Sequence, residues 1–177
     1  MLTLVLGGAR SGKSSYAEQL AIKFELPVTY IATATGLDDE MKLRIEHHQR
    51  SRPKEWRTIE CPLNLVDLIA EQSRNQQTLL IDCLTLWINN QLFHNPNQNF
   101  SNLFSEFIQV CKDSEAHIIF VANEVGLGII PLGEISRKFV DEAGRLNQAL
   151  AKVADDVIFI AAGLPLILKQ STVYKKP

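Results

Sequence analysis

The stretch Gly7-Gly8-Ala9-Arg10-Ser11-Gly12-Lys13-Ser14 (GGARSGKS) decides how the rest of this chain is read. It fits G-x-x-x-x-G-K-[ST] at every defined position. Before it lies a short apolar run, Leu2 to Leu6, which reads as a buried strand. After it, Lys13 to Phe24 carries Tyr16, Ala17, Leu20, Ala21 and Phe24 at helical spacing. A glycine loop between strand and helix lets backbone N–H groups converge on phosphate oxygens, and the helix N-terminus adds positive potential. In that setting Lys13 reaches the β- and γ-phosphates, and the Ser14 hydroxyl is a ligand for Mg²⁺.

Working outward, Pro27 stops the first helix and Val28 to Ala32 (VTYIA) is a second strand. Asp38 to Arg50 is charged and free of Gly and Pro, which predicts a helix ending before Pro53. Arg57 to Glu60 reads as a short strand, Leu63 to Gln72 as an amphipathic helix, and Thr78 to Ile81 as a buried strand followed by Asp82. Helices are expected over Leu84 to Phe93 and Leu103 to Cys111, separated by the turn-rich HNPNQN, His94 to Asn99. His117 to Ala122 is a strand, and Asn123 to Gly133 holds too many glycines for a regular element. A long helix, Ser136 to Val153, precedes a strand at Val157 to Ala161 and a last one at Leu166 to Lys169. Alternating strands and helices imply an α/β fold, a parallel sheet covered on both faces, in one domain spanning residues 1 to 177.

Proteins that grip phosphates in this way place a carboxylate at the end of another parallel strand, near the magnesium shell. Asp82, closing TLLID, is the candidate. Glu124 in VANEVG follows a second apolar strand and points to the same sheet edge, the alternative being a solvated loop acid. Between these elements lies EHHQRSRP. Adjacent residues on a helix point about 100° apart, so His47 and His48 do not share a face or a metal. Arg44 and Arg52 stand four residues either side of His48, giving one imidazole between guanidinium groups. Neutral imidazole suits nucleophilic attack on an α-phosphate, with arginines neutralising the charge. The competing reading is a solvated polar helix face.

Composition narrows the classes. The chain has 177 residues, 46% hydrophobic and 21% charged, with a net charge of −2 and a pI near 6.1. That balance gives no reason to expect nucleic-acid binding. No apolar run approaches the roughly 20 residues that span a bilayer. Cys61, Cys83 and Cys111 lack ligand spacing and are expected as buried free thiols, which with the absence of a signal-like start suggests a cytoplasmic protein.

The segments GGARSGKS, TYIATA, LDDEMKLRIEHHQRSRPKEWRTIE, LLIDCLTLWINN, NEVGLGIIP and AGRLNQALAKVADDV occur in this order. With them the chain resembles the bifunctional adenosylcobinamide kinase/adenosylcobinamide-phosphate guanylyltransferase family, known as the CobU or CobP family, from about Leu2 to Lys169. The resemblance implies a RecA-like P-loop NTPase fold, a homotrimer, and dependence on Mg²⁺. It implies that ATP or GTP phosphorylates adenosylcobinamide, and that GMP then passes from GTP through a guanylyl-histidine to adenosylcobinamide phosphate. His48, the second of the pair, matches the guanylylated residue. Nucleotide contacts carry over to Gly7, Gly8, Ala9, Arg10, Ser11, Gly12, Lys13 and Ser14, and to Ala32, Thr33 and Ala34. They extend to Gln49, Arg50, Ser51, Arg52, Glu60 and Asp82.

Asp82 therefore holds two competing assignments, magnesium shell or guanine contact. In KFVDEAG the chain has Val140 where the family often has a basic residue, which leaves corrinoid or subunit contacts by Arg137, Asp141 and Asn147 open. Two simpler readings also stand beside the bifunctional one: a P-loop small-molecule kinase without guanylyl transfer, and a RecA-like nucleotide switch.

Overall fold

The structure, a computed structural model, describes residues 1–35 and 53–171. The helix expected over Asp38 to Arg50, and with it His47, His48, Gln49, Arg50, Ser51 and Arg52, lies outside the described residues.

Among the described residues seven strands form one sheet: β1 (Leu2–Gly7), β2 (Val28–Ala32), β3 (Arg57–Glu60), β4 (Thr78–Asp82), β5 (His117–Asn123), β6 (Asp156–Ala161) and β7 (Leu164–Lys169). Among the described residues five helices accompany them: α1 (Lys13–Lys23), α2 (Leu65–Gln72), α3 (Leu84–His94), α4 (Phe100–Lys112) and α5 (Glu134–Val153). The spatial order is β3-β2-β4-β5-β1-β6-β7. The first six strands run parallel, and β7 turns back antiparallel on β6.

Strand direction and crossover hand together decide which face each helix covers. Parallel crossovers are right-handed, so connections running opposite ways along a sheet put their helices on opposite faces. The β1–β2 connection runs one way and carries α1. The β3–β4, β4–β5 and β5–β6 connections run the other way and carry α2 to α5. Two cores result. Leu4, Leu79, Ile81, Ile118 and Phe120 face α2 to α5, whereas Val5, Tyr30, Leu80, Ile119 and Val121 face α1 through Ala17 and Ala21. Among the described residues helices thus lie on both faces, α1 on one and α2 to α5 on the other. Trp87, Phe107 and Phe120 are fully buried with ring centroids 5.0 and 5.4 Å apart, and each such side chain contributes about 1.5–3 kcal/mol or more by burial.

Among the described residues the expected elements form, with shifted bounds. Helix α4 begins at Phe100 rather than Leu103, because the Asn99 side chain accepts the Asn102 N–H and caps it. Helix α5 begins at Glu134 rather than Ser136, and β7 at Leu164 rather than Leu166. All three cysteines are buried and free. Among the described residues no helix is long and apolar enough to cross a membrane.

Candidate nucleotide site

Strand β1 delivers the glycine loop to the carboxyl edge of the sheet, where open α/β folds bind ligands. Gly7 packs so tightly that a Cβ there would stand 2.6 Å from the Ile160 carbonyl oxygen and 2.5 Å from Ser11 Oγ. Gly12, at φ +95°, is the N-cap of α1 in the left-handed conformation, which glycine adopts without steric penalty. Three bonds hold the loop. The Glu124 N–H donates to Gly7 O at 3.0 Å, the Gly163 N–H to Ser11 O at 2.8 Å, and the Ser11 N–H to Gly8 O at 3.3 Å. The Lys13 ammonium folds back over the loop and donates to Gly8 O at 3.2 Å. Ser11 Oγ is buried beside Gly7 without a protein hydrogen-bond partner among the described residues, which leaves a hydroxyl donor of the loop unused. Ser14 stands in the first turn of α1, and Ala9 and Arg10 are exposed at the tip.

A second group of residues sits farther along the same edge. Ala32 pairs in register with Glu60 on β3 and with Asp82 on β4, so the three residues form one rung. In-register neighbours on parallel strands point to the same face, and Ala32 packs in the α1-side core. Asp82 therefore points toward the face that carries Lys13 and Ser14. Its Oδ2 accepts a hydrogen bond from the Tyr30 hydroxyl at 3.0 Å. Glu60 lies two strands away and is exposed.

Thr33 links the strand ends. Its hydroxyl donates to Cys83 O at 2.7 Å and accepts the Cys83 N–H at 2.9 Å, while its own N–H donates to Asp82 O at 3.2 Å. The Asp82–Cys83 peptide is cis. Burial, and secondarily the Asp82 carboxylate, pushes the Cys83 thiol up to about 12, so it is no nucleophile at neutral pH.

The structure thus brings Gly7 to Ser14 together as one loop and sets Ala32, Thr33, Ala34, Glu60 and Asp82 along the neighbouring strand ends. Other candidates have local work instead. Glu124 Oε1 accepts the Gly126 N–H at 2.7 Å, closing its own turn. Arg137 donates to the carbonyls of Pro131 and Leu132, Asp141 is exposed, and Asn147 is buried in α5. Sequence reasoning missed Tyr30, Gly163 and Asn90, whose roles come from contacts distant in the chain. Among the described residues no cluster of three or more His, Cys, Asp or Glu could hold a metal. A Mg²⁺ ion bound beside substrate phosphates needs only one or two protein ligands, so the Ser14 hydroxyl and Asp82 carboxylate fit as a hard-oxygen donor set.

A phosphate loop and a strand-end acid on the same face, with a further strand between theirs, define a RecA-like P-loop nucleotide-binding protein. Solved structures agree at the level of fold. The flagellar accessory protein FlaH from Methanocaldococcus jannaschii superposes with a TM-score of 0.56 at 16% identity, covering 96% of this chain and 78% of that one. The RadB recombinase superposes at 0.50 with 14% identity, covering 89% and 73%. Sequence comparison goes further. The family described as "Cobinamide kinase / cobinamide phosphate guanyltransferase" matches residues 3–168. The bifunctional adenosylcobalamin biosynthesis protein CobP of Pseudomonas aeruginosa is 47% identical over 169 residues, 96% of this chain and 98% of its own. The CobU protein of Salmonella typhimurium is 40% identical over 182 residues, 96% and 100%. The chain belongs to the CobU family of cobinamide kinase/cobinamide phosphate guanyltransferases.

Proposed function

We propose that this chain phosphorylates adenosylcobinamide with ATP or GTP and then guanylylates the product, giving adenosylcobinamide-GDP in cobalamin biosynthesis. The observation that carries this reading is an intact phosphate loop, with Lys13 folded over it, in a chain that matches the family from residue 3 to 168.

In the first reaction the substrate hydroxyl attacks the γ-phosphorus and the nucleoside diphosphate leaves. The loop N–H groups and Lys13 hold the phosphates and stabilise charge developing on them. Ser14 and Asp82 are the residues that would hold Mg²⁺, which when bound neutralises phosphate charge. The face shared by Asp82 and α1 favours magnesium for Asp82, and the outlying Glu60 is left as the acid that accepts guanine N–H donors.

In the second reaction an imidazole nitrogen of His48 attacks the α-phosphorus of GTP, the α–β phosphoanhydride bond breaks, and pyrophosphate departs. A phosphate oxygen of adenosylcobinamide phosphate then attacks the guanylyl phosphorus, the P–N bond breaks, and the imidazole is restored. Each step has a good leaving group. Gln49, Arg50, Ser51 and Arg52 are assigned to the same nucleotide.

The cytoplasm is the proposed compartment, on the strength of three buried thiols with no disulfide. A homotrimer is proposed from the family resemblance. The exposed Leu127, Ile129, Ile130, Leu132 and the apolar edge strand β7 are the kind of surface an assembly covers.

Product analysis with adenosylcobinamide tests the reading. Wild-type protein with GTP should form the phosphate and then the GDP derivative. Lys13→Ala should block the first product, and His48→Ala should stop the sequence at adenosylcobinamide phosphate. A wild type that accumulates only the phosphate is a kinase alone, and one that forms neither product contradicts the proposal.

A further inference from the structure

Helix α3 turns three side chains onto backbone carbonyls at the far end of the nucleotide edge. Trp87 Nε1 donates to Leu63 O at 2.8 Å, and Gln91 Nε2 donates to the same oxygen at 2.7 Å. Asn90 does something different. Its Nδ2 donates to Thr33 O at 2.8 Å and to Pro62 O at 3.1 Å. Because both partners are carbonyls, the amide nitrogen rather than its oxygen must face them. One side chain therefore ties the loop after β2 and the turn after β3 to a rigid helix, across sequence separations of 57 and 28 residues.

The connection continues on both sides. Thr33 is locked to Cys83 by its hydroxyl, and the Cys61 N–H donates to Ala32 O at 2.8 Å. The segments so joined are Ala32–Ala34 and the chain leaving Glu60. The phosphate loop is held by separate bonds, to Gly163, Glu124 and Lys13.

We infer that Asn90 is a positioning residue for the nucleoside side of the GTP site. It fixes the spacing between the Thr33 backbone and the turn after Glu60, so that the base and ribose meet a prearranged wall. Prearrangement removes an ordering cost from binding. The inference rests on the proposed reading that Ala32–Ala34 and Glu60 touch the nucleotide. It adds that their grip is set from α3, independently of the grip on the phosphates.

The test is calorimetric titration of the full chain with GTP and, separately, with inorganic tripolyphosphate, both with Mg²⁺. Asn90→Ala should weaken GTP about tenfold while leaving tripolyphosphate within about twofold. Asn90→Leu keeps the volume, removes both donors and should give the same pattern if the alanine variant does not fold. Gln91→Ala removes a neighbouring donor whose acceptor Trp87 still serves. It should lower the melting temperature without changing the ratio of GTP to tripolyphosphate affinity. An unchanged ratio in both Asn90 variants, a parallel loss of both ligands, or an equal ratio change in Gln91→Ala overturns the inference. Wild-type protein that binds tripolyphosphate as tightly as GTP overturns the underlying nucleoside contacts as well, which separates the two failures.

Discussion

The phosphate loop and the Ala32–Glu60–Asp82 rung occupy one sheet edge but are held in opposite ways. Gly7 to Ser14 is a single run of chain whose shape comes from glycine conformation and close backbone approach, with Lys13 bonded five residues back to Gly8. The rung is assembled from three strands and fixed by side chains reaching across the fold: Thr33 to Cys83, Tyr30 to Asp82, Asn90 to Thr33 and Pro62. The loop takes its form from one run of chain, and distant backbone, at Glu124, Ile160 and Gly163, then seats it against the sheet. The rung depends on the whole sheet order, so its integrity reports tertiary packing as well as chemistry.

That contrast is open to attack, most strongly at Lys13. Lys13→Ala removes a cation from the phosphates and should lower kinase kcat about 10²–10³-fold, with the thermal midpoint little changed. A comparable loss of stability would mean that the Lys13 bond to Gly8 O helps hold the fold as well as the phosphates. Gly7→Ala drives a Cβ into the Ile160 carbonyl and should cost about 3 kcal/mol in denaturant unfolding. A near-neutral result would show the loop to be looser than its geometry states.

On the rung, Thr33→Val leaves the buried Cys83 N–H unpaired, while the Cys83 carbonyl keeps the Trp87 N–H, and should cost about 1–3 kcal/mol. Native Cys83 should then begin to react with a thiol reagent at neutral pH, as local opening exposes a group otherwise held protonated.

The smallest expected effect lies away from both regions. Burial, and secondarily the N-terminal amine, lowers the pKa of His117, with Asp155 opposing. The unfolded chain therefore binds the proton more readily, and stability contributed above pH about 6.5 is lost as pH falls through the depressed folded value. His117→Gln should flatten the dependence of urea midpoint on pH between 5 and 7, and an unchanged slope would remove His117 from the account.

Legibility in sequence followed the same division. The phosphate loop, the strand at Val28–Ala32 and the acid at Asp82 were readable because motif, apolar run and turn residues are contiguous. Asn99 was read as part of a loop, because its capping bond to Asn102 depends on backbone geometry rather than composition. The antiparallel return of β7 was not readable, since apolar runs carry no strand direction. Tyr30 and Asn90 gave no signal at all. A tyrosine in an apolar strand and an asparagine in a helix become site residues only when the sheet order brings Asp82 and Thr33 beside them. Family resemblance, and not spacing, separated His48 from His47.

The central claim is a covalent guanylyl intermediate on a P-loop protein, and intact-mass measurement after incubation with GTP and Mg²⁺ tests it most directly. The account predicts a mass gain equal to one GMP on the wild-type chain, absent in His48→Ala and retained in His47→Ala. An unmodified wild type, or an adduct that persists on His48→Ala, would contradict it.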